Sequence, residues 1–272
     1  MNSLQVILLH GLCSTPDELL PIDTALRNAG FGVTPLRIPG YSFEPRALEQ
    51  PLTRFQDWLD SLATAVQECR MRGQQVVLVG ISAGATLALG ALSRGDPAIA
   101  GVVLMSTPLR YDGWAVPWYH FLMPLALYTP LGRWWQYRES PPYGVKNPRI
   151  RRWIERELET RRVSSAGAAV IGVPHLREHD RLRRQVLASL PALQCQRVLA
   201  LHAEEDEVAS PANLALLAPM QVGTMRHVLL PNSHHMISID NDREQVTRET
   251  LNFVQAIQEA QVQRPTPVAV QA

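Results

Sequence analysis

The sequence predicts an α/β architecture: a mostly parallel sheet of six strands or slightly more, flanked by helices, with a helical insertion after the fourth strand. Three observations carry this expectation. Short runs of Val, Ile and Leu alternate with longer amphipathic segments, and a continuous apolar run suits a strand buried on both faces. Strands that alternate with helices build βαβ units and so a parallel sheet. The alternation lapses after Met105 and resumes at Arg197, as it would around an insertion.

Taken in order, Val6–Leu9 reads as a strand and Pro16–Ala29 as a helix. Val33–Ile38 is a strand and Pro51–Arg72 a long helix. Val76–Val79 is a strand, Ala83–Ser93 a helix and Val102–Met105 the fourth strand. After the gap come a strand at Arg197–His202, a helix at Pro211–Met220, a strand at His227–Leu230 and a last helix at Arg243–Ala260. The short apolar runs fit strand length, and the longer segments carry the helical period. Residues 1–108 and 191–260 form the expected core, and 109–190 the expected cap. The tail from Gln261 to Ala272 has two prolines and no apolar period, so it is expected to be disordered.

The totals agree with one domain plus an insertion. A chain of 272 residues, 46% hydrophobic and 19% charged, can bury one sizeable core. A net charge of +1 does not point to nucleic acid. Lys146 is the sole lysine. Arginine suits phosphate or carboxylate recognition, though codon bias in a GC-rich genome explains the preference more simply. Cys13, Cys69 and Cys195 are too scattered for a disulfide framework or a metal site, which suits a reducing compartment. The chain enters a strand at Leu4 without a basic start or a small-residue cleavage site, so a cytoplasmic location is expected. Trp114–Leu131 is the longest apolar stretch, but Pro117, Pro124 and Pro130 argue against a spanning helix.

The insertion differs in composition. Four of the six tryptophans fall between Trp114 and Trp135. From Arg133 to Arg184 there are thirteen basic and six acidic residues. A cap over the carboxyl edge of the sheet is expected, its aromatic segment lining an apolar acyl pocket in preference to touching a membrane interface. Arg149, Arg151, Arg152 and Arg156 alternate with Glu155, Glu157 and Glu159, as on a solvated helix face. His175 and His179 stand one helical turn apart, with Glu178 and Asp180 nearby. A metal pair is conceivable there, but a surface helix explains it as well.

The chemistry centres on Gly80-Ile81-Ser82-Ala83-Gly84, directly after a buried strand and directly before a helix. This is the context of a nucleophile elbow. The glycines give room for a sharp turn, and the helix N-terminus faces Ser82, where negative charge would develop. A serine hydroxyl needs a base. Late in the chain, Ser233-His234-His235-Met236 offers two histidines, and only one of two neighbours on an extended loop can face Ser82. The base needs an acid to hold its tautomer. In Glu204-Glu205-Asp206-Glu207, leaving the carboxyl end of a strand, Asp206 is favoured and Glu205 comes second. The N–H groups of Ala83 and of Leu12, after His10-Gly11, are the expected oxyanion hole, each worth about 3–4 kcal/mol of barrier.

Together, His10-Gly11, the elbow, the Asp206 loop and the late His235 resemble the α/β-hydrolase superfamily across nearly the whole chain, in the order Ser82, Asp206, His235. Two details resemble bacterial carboxylesterases and monoacylglycerol lipases. One is Asp206-Glu207-Val208-Ala209-Ser210-Pro211. The other is Ser233-His234-His235 before a short apolar run that ends in Asp240. Aligned so, His235 is the base and His234 stands where those enzymes carry glycine. The resemblance implies the α/β-hydrolase fold, no cofactor or metal, and hydrolysis of small esters with an apolar acyl group through an acyl-enzyme on Ser82. A lysophospholipase or thioesterase, or a non-catalytic binding member of the fold, is the alternative. Fold alone also leaves room for C–C hydrolases and perhydrolases.

Overall fold

The computed structural model describes residues 4–43, 51–161, 163–164 and 167–263. Six strands form one sheet: β1 (Leu4–Leu9), β2 (Gly32–Pro35), β3 (Gln75–Ile81), β4 (Ile99–Met105), β5 (Gln194–Ala203) and β6 (Gln221–Leu230). Their spatial order is β6-β5-β4-β3-β1-β2, and every neighbouring pair is parallel. β3, which leads to Ser82, thus lies inside the sheet between β1 and β4.

Alternate residues of each central strand feed two cores. In β3, Val76 and Leu78 face one side, while Val77, Val79 and Ile81 face the other. The first side is covered by α2 (Phe55–Met71) and α3 (Ala83–Leu92), the second by α1 (Leu20–Asn28) and α7 (Arg243–Val262). In α2, Phe55, Trp58, Leu59, Leu62, Val66 and Cys69 recur at helical spacing and are all buried. Every residue of α3 is buried, because the helix is packed on all sides rather than along one stripe.

Between β4 and β5 the chain leaves the sheet. It forms α4 (Met123–Tyr128), α5 (Pro148–Arg161) and α6 (Val173–Ser189), with an antiparallel ribbon pairing Gln136–Arg138 to Val170–Gly172. α6 is not confined to an outer layer: Leu182 and Val186, with Leu190 just beyond, join the core beside α2 and α3.

Several element ends depart from the sequence expectations. β2 stops at Pro35, short of Ile38, because a tight turn uses the Ile38 backbone groups. The Ile38 N–H goes to Ser42 Oγ at 2.8 Å, and its carbonyl accepts from Tyr41 and Ser42. α2 begins at Phe55 rather than Pro51, where the Asp57 carboxylate caps the Arg54 N–H at 2.8 Å. The expected helix from Pro211 is one short 3₁₀ segment, Pro211–Leu217. α7 runs on through Val262, so the expected disordered tail begins in helix, and residues 264–272 lie outside the described residues. The three cysteines are free and buried.

Candidate active site

Ser82 is the single residue between β3 and α3, held at φ 53° and ψ −121°. This left-handed backbone is costly for a residue with a Cβ and persists only where its surroundings enforce it. Several contacts do so. The Ser82 N–H donates to the Met105 carbonyl at 2.8 Å, and the Ser82 carbonyl accepts from Ala85 and Thr86. A Cβ on Gly80 would stand 2.4 Å from the Gly84 carbonyl oxygen, so the turn can close only over glycine.

The loop after β6 brings His235 to the serine. His235 Nε2 lies 2.9 Å from Ser82 Oγ. On the far side of the ring, Nδ1 lies 2.9 and 2.8 Å from the two Asp206 oxygens. Ser82, His235 and Asp206, chosen on sequence grounds, therefore meet in one continuous hydrogen-bonded line. His234 points elsewhere: its ring packs edge-on against Trp114, and its N–H donates to Asp240 Oδ2 at 2.9 Å. Glu205, the second choice for the acid, faces outward and pairs with Lys146 at 2.8 Å.

Asp206 is buried and well satisfied. Its Oδ1 accepts from the Val208 and Ala209 N–H groups at 2.8 and 2.9 Å. His202 Nε2, at 3.3 Å from Oδ2, also donates to the Ala209 carbonyl at 2.6 Å. Burial alone would push the Asp206 carboxyl up, but His235 and His202 outweigh it and hold the group well below the usual carboxylate range. For His235 the balance runs the other way. Burial would lower it, yet Asp206, Glu207 and Glu139 raise it to about 9. Glu207 also holds the histidine backbone, accepting the His235 N–H at 3.0 Å. Glu139, half-buried, is pushed up to about 8 by burial and by Glu207.

The expected oxyanion donors belong to two adjoining segments: Ala83 directly follows Ser82, and Leu12 lies in the turn after β1, whose end packs on Gly84. Among the described residues, neither the Leu12 nor the Ala83 N–H is given to a protein acceptor. Ala83 opens α3, whose first N–H groups have no partner within the helix. The Gly11–Leu12 peptide is oriented from behind. His10 Nδ1 donates to the Gly11 carbonyl at 2.7 Å, and His10 Nε2 accepts from Ser42 Oγ at 2.8 Å. Burial lowers His10 to about 4, consistent with the neutral ring this pattern needs. The Gly11 N–H goes to the buried Glu18 carboxylate at 2.6 Å, whose group burial raises to about 7.

Sequence reasoning missed Glu207, His202 and Glu18, and it noted Asp240 only as the end of the apolar run after His235. Glu207 was visible only as one carboxylate among four, and nothing in the sequence marks the burial of His202 and Glu18. The His175 and His179 expectation also changes: both are buried on α6 rather than on its exposed face, with His179 Nδ1 2.8 Å from the Tyr111 hydroxyl. Among the described residues, no group of three or more His, Cys, Asp and Glu side chains is arranged to hold a metal. The aromatic segment of the insertion also lies differently from an acyl-pocket lining, since most of its large side chains between Trp114 and Trp135 are exposed.

This chain has relatives in sequence and fold. Over 249 residues the chain is 26% identical to the thermostable monoacylglycerol lipase of Bacillus sp. (strain H-257), covering 91% of this chain and 89% of that protein. It superposes with a TM-score of 0.75 on a structure from a study of LipS and LipT, two metagenome-derived lipolytic enzymes, at 20% identity over 94% of each chain. The monoacylglycerol lipase of Paleococcus ferrophilus also superposes at 0.75, with 20% identity over 93% of this chain and 94% of that one. Residues 6–249 match the profile of the Alpha/beta hydrolase family, and the chain belongs to that family.

Proposed function

We propose that this protein is a serine hydrolase that cleaves carboxylic esters through an acyl-enzyme. The observation that carries the reading is the line from Ser82 Oγ through His235 to Asp206, with contacts of 2.8–2.9 Å throughout. His235 Nδ1 donates to Asp206, so in the neutral ring Nε2 is the acceptor that takes the Ser82 proton. Oγ attacks the ester carbonyl, and the carbonyl oxygen gains charge facing the Leu12 and Ala83 N–H groups. The C–O bond breaks as imidazolium returns the proton to the departing alkoxide. Water, deprotonated by the same His235, then attacks the acyl-enzyme and releases the acid and free Ser82.

Two relatives are named monoacylglycerol lipases, which supports monoacylglycerols as substrates; short to medium acyl chains are the proposed range. In this reading residues 109–190 act as a cap on the histidine and acid loops. Trp114 Nε1 reaches the Glu205 carbonyl at 3.0 Å, and the Met236 N–H reaches the Gly144 carbonyl at 2.8 Å. A lysophospholipid or thioester substrate is the second reading, favoured by the cationic, aromatic composition of that cap.

Hydrolysis of p-nitrophenyl esters, acetate through palmitate, by wild type and Ser82→Ala tests the proposal. Turnover on at least one ester, lost by about 10⁴-fold or more in Ser82→Ala with the melting curve unchanged, is expected. Equal turnover in the variant overturns the mechanism. Inertness toward all esters and toward a serine-directed phosphonate makes the protein a binding member of the fold.

A further inference from the structure

Glu18 is a buried carboxyl that takes no part in the proton transfers from Ser82 through His235. It belongs to the 3₁₀ turn Pro16–Leu19 and is 2% exposed. A carboxyl inside a protein is costly unless its oxygens find donors. Among the described residues it makes no ion pair with an Arg or Lys. Its donor is a backbone group: the Gly11 N–H, at 2.6 Å from Glu18 Oε2. A Cβ on Gly11 would stand 3.3 Å from both carboxyl oxygens, so the group lies directly against this one residue of the turn after β1.

Gly11 matters because the next N–H in the chain is that of Leu12, the expected oxyanion donor. A residue without a Cβ lets the chain turn there, but it also leaves the peptides on either side free to rotate. Contacts on both peptides remove that freedom. The His10–Gly11 peptide is gripped at its two ends, its carbonyl accepting from the Tyr41 hydroxyl at 2.6 Å and its N–H donating to Glu18. The Gly11–Leu12 peptide has its carbonyl held by His10 Nδ1 at 2.7 Å. That peptide is trans, and in a trans peptide the N–H points opposite to the carbonyl. The contact with His10 thus turns the Leu12 N–H away from the His10 ring. We propose that Glu18 is a positioning residue of the oxyanion hole, fixing the peptide before the Leu12 donor by holding the Gly11 N–H. The inference rests on the acyl-enzyme reading. Without Glu18 the donor would have to be ordered during the reaction, a loss that falls on kcat rather than on substrate binding.

Steady-state ester kinetics on wild type, Glu18→Ala and Glu18→Gln, together with inhibition by a trifluoromethyl ketone of matched chain length, test it. The ketone adds to Ser82 as a tetrahedral oxyanion and so reads the hole directly. Glu18→Ala should lower kcat by about ten- to a hundredfold with KM within about twofold, and weaken the ketone by a similar factor. Glu18→Gln keeps an acceptor for the Gly11 N–H and should stay within about threefold of wild type on both readouts. Should Glu18→Ala not fold, Glu18→Asp, whose carboxyl falls one methylene short of Gly11, takes its place with the same loss expected. A Glu18 that served stability alone would shift the melting curve of the alanine variant and leave kcat and ketone affinity of the folded enzyme unchanged. That result overturns the proposal, as does a Glu18→Gln variant as impaired as Glu18→Ala, since the charge rather than the acceptor would then matter. Wild type inert toward esters and toward a serine-directed phosphonate overturns the acyl-enzyme reading and this proposal with it. A Ser82-dependent esterase with an unimpaired Glu18→Ala variant overturns this proposal alone.

Discussion

Gly84, the second residue of α3, packs directly on the end of β1: a Cβ there would stand 2.1 Å from the Leu9 carbonyl oxygen and 2.6 Å from that of His10. The contact locks the helix behind the nucleophile to the strand that leads into the Leu12 turn. Both proposed oxyanion donors, Ala83 and Leu12, are thus carried by segments that touch at one glycine.

Gly84→Ala should therefore be costly in two ways. The methyl group must push α3 and the end of β1 apart, at about 2–3 kcal/mol of stability by the usual scale of overpacking. It should also lower kcat with little change in KM, because the donors move relative to each other. Urea unfolding and steady-state kinetics on the same preparation check both; a variant with native stability would contradict the contact.

The two adjacent histidines should separate cleanly. Alanine at His235 removes the group 2.9 Å from Ser82 Oγ and should cost about 10⁴-fold or more in kcat. Alanine at His234 removes an edge-on contact with Trp114 and should cost less than about tenfold. A larger loss at His234 would reassign the base.

The pH dependence follows from the charges around His235. Asp206, Glu207 and Glu139 favour the imidazolium, and the ring sits well above the ordinary 6.5, at about 9. Only the neutral ring can accept the serine proton, so kcat/KM should rise with pH through and beyond neutrality. Glu207→Gln removes one of the charges that favour the imidazolium, so the acid limb should move to lower pH, by about one unit or less. A limb that stays in place, or moves up, would show that Glu207 does not act on His235 electrostatically.

Asp240 ties the insertion to the histidine loop. Its buried carboxylate accepts the N–H groups of His234, Lys146 and Asn147 at 2.9, 2.6 and 2.9 Å. Asp240→Ala strands three donors and should destabilise the protein by about 2–4 kcal/mol. Activity should fall faster than stability as temperature rises, because the His235 loop loosens before the sheet melts. Parallel thermal curves for folding and turnover would argue against that coupling.

Much of this was legible in the amino-acid order. Continuous runs such as Val76–Val79 announce strands buried on both sides, and Gly80-Ile81-Ser82-Ala83-Gly84 between a strand and a helix announces a sharp turn, because both signals are local. Proximity across the chain is not local. That Asp206, rather than Glu205, turns inward depends on N–H groups of its own loop and on His202. That His235 rather than His234 meets Ser82 depends on Glu207 and Asp240, whose side chains grip adjacent backbone N–H groups in the same loop. The fate of the aromatic segment was equally hidden. Periodicity and composition mark Trp118 and Phe121 as apolar, but whether such a side chain faces a pocket or the solvent depends on what packs against it. The sequence by itself thus determined the strand–helix order and the chemical types at the site. Tertiary packing decided which neighbour faces inward, because burial is a property of the whole fold and no window of sequence contains it.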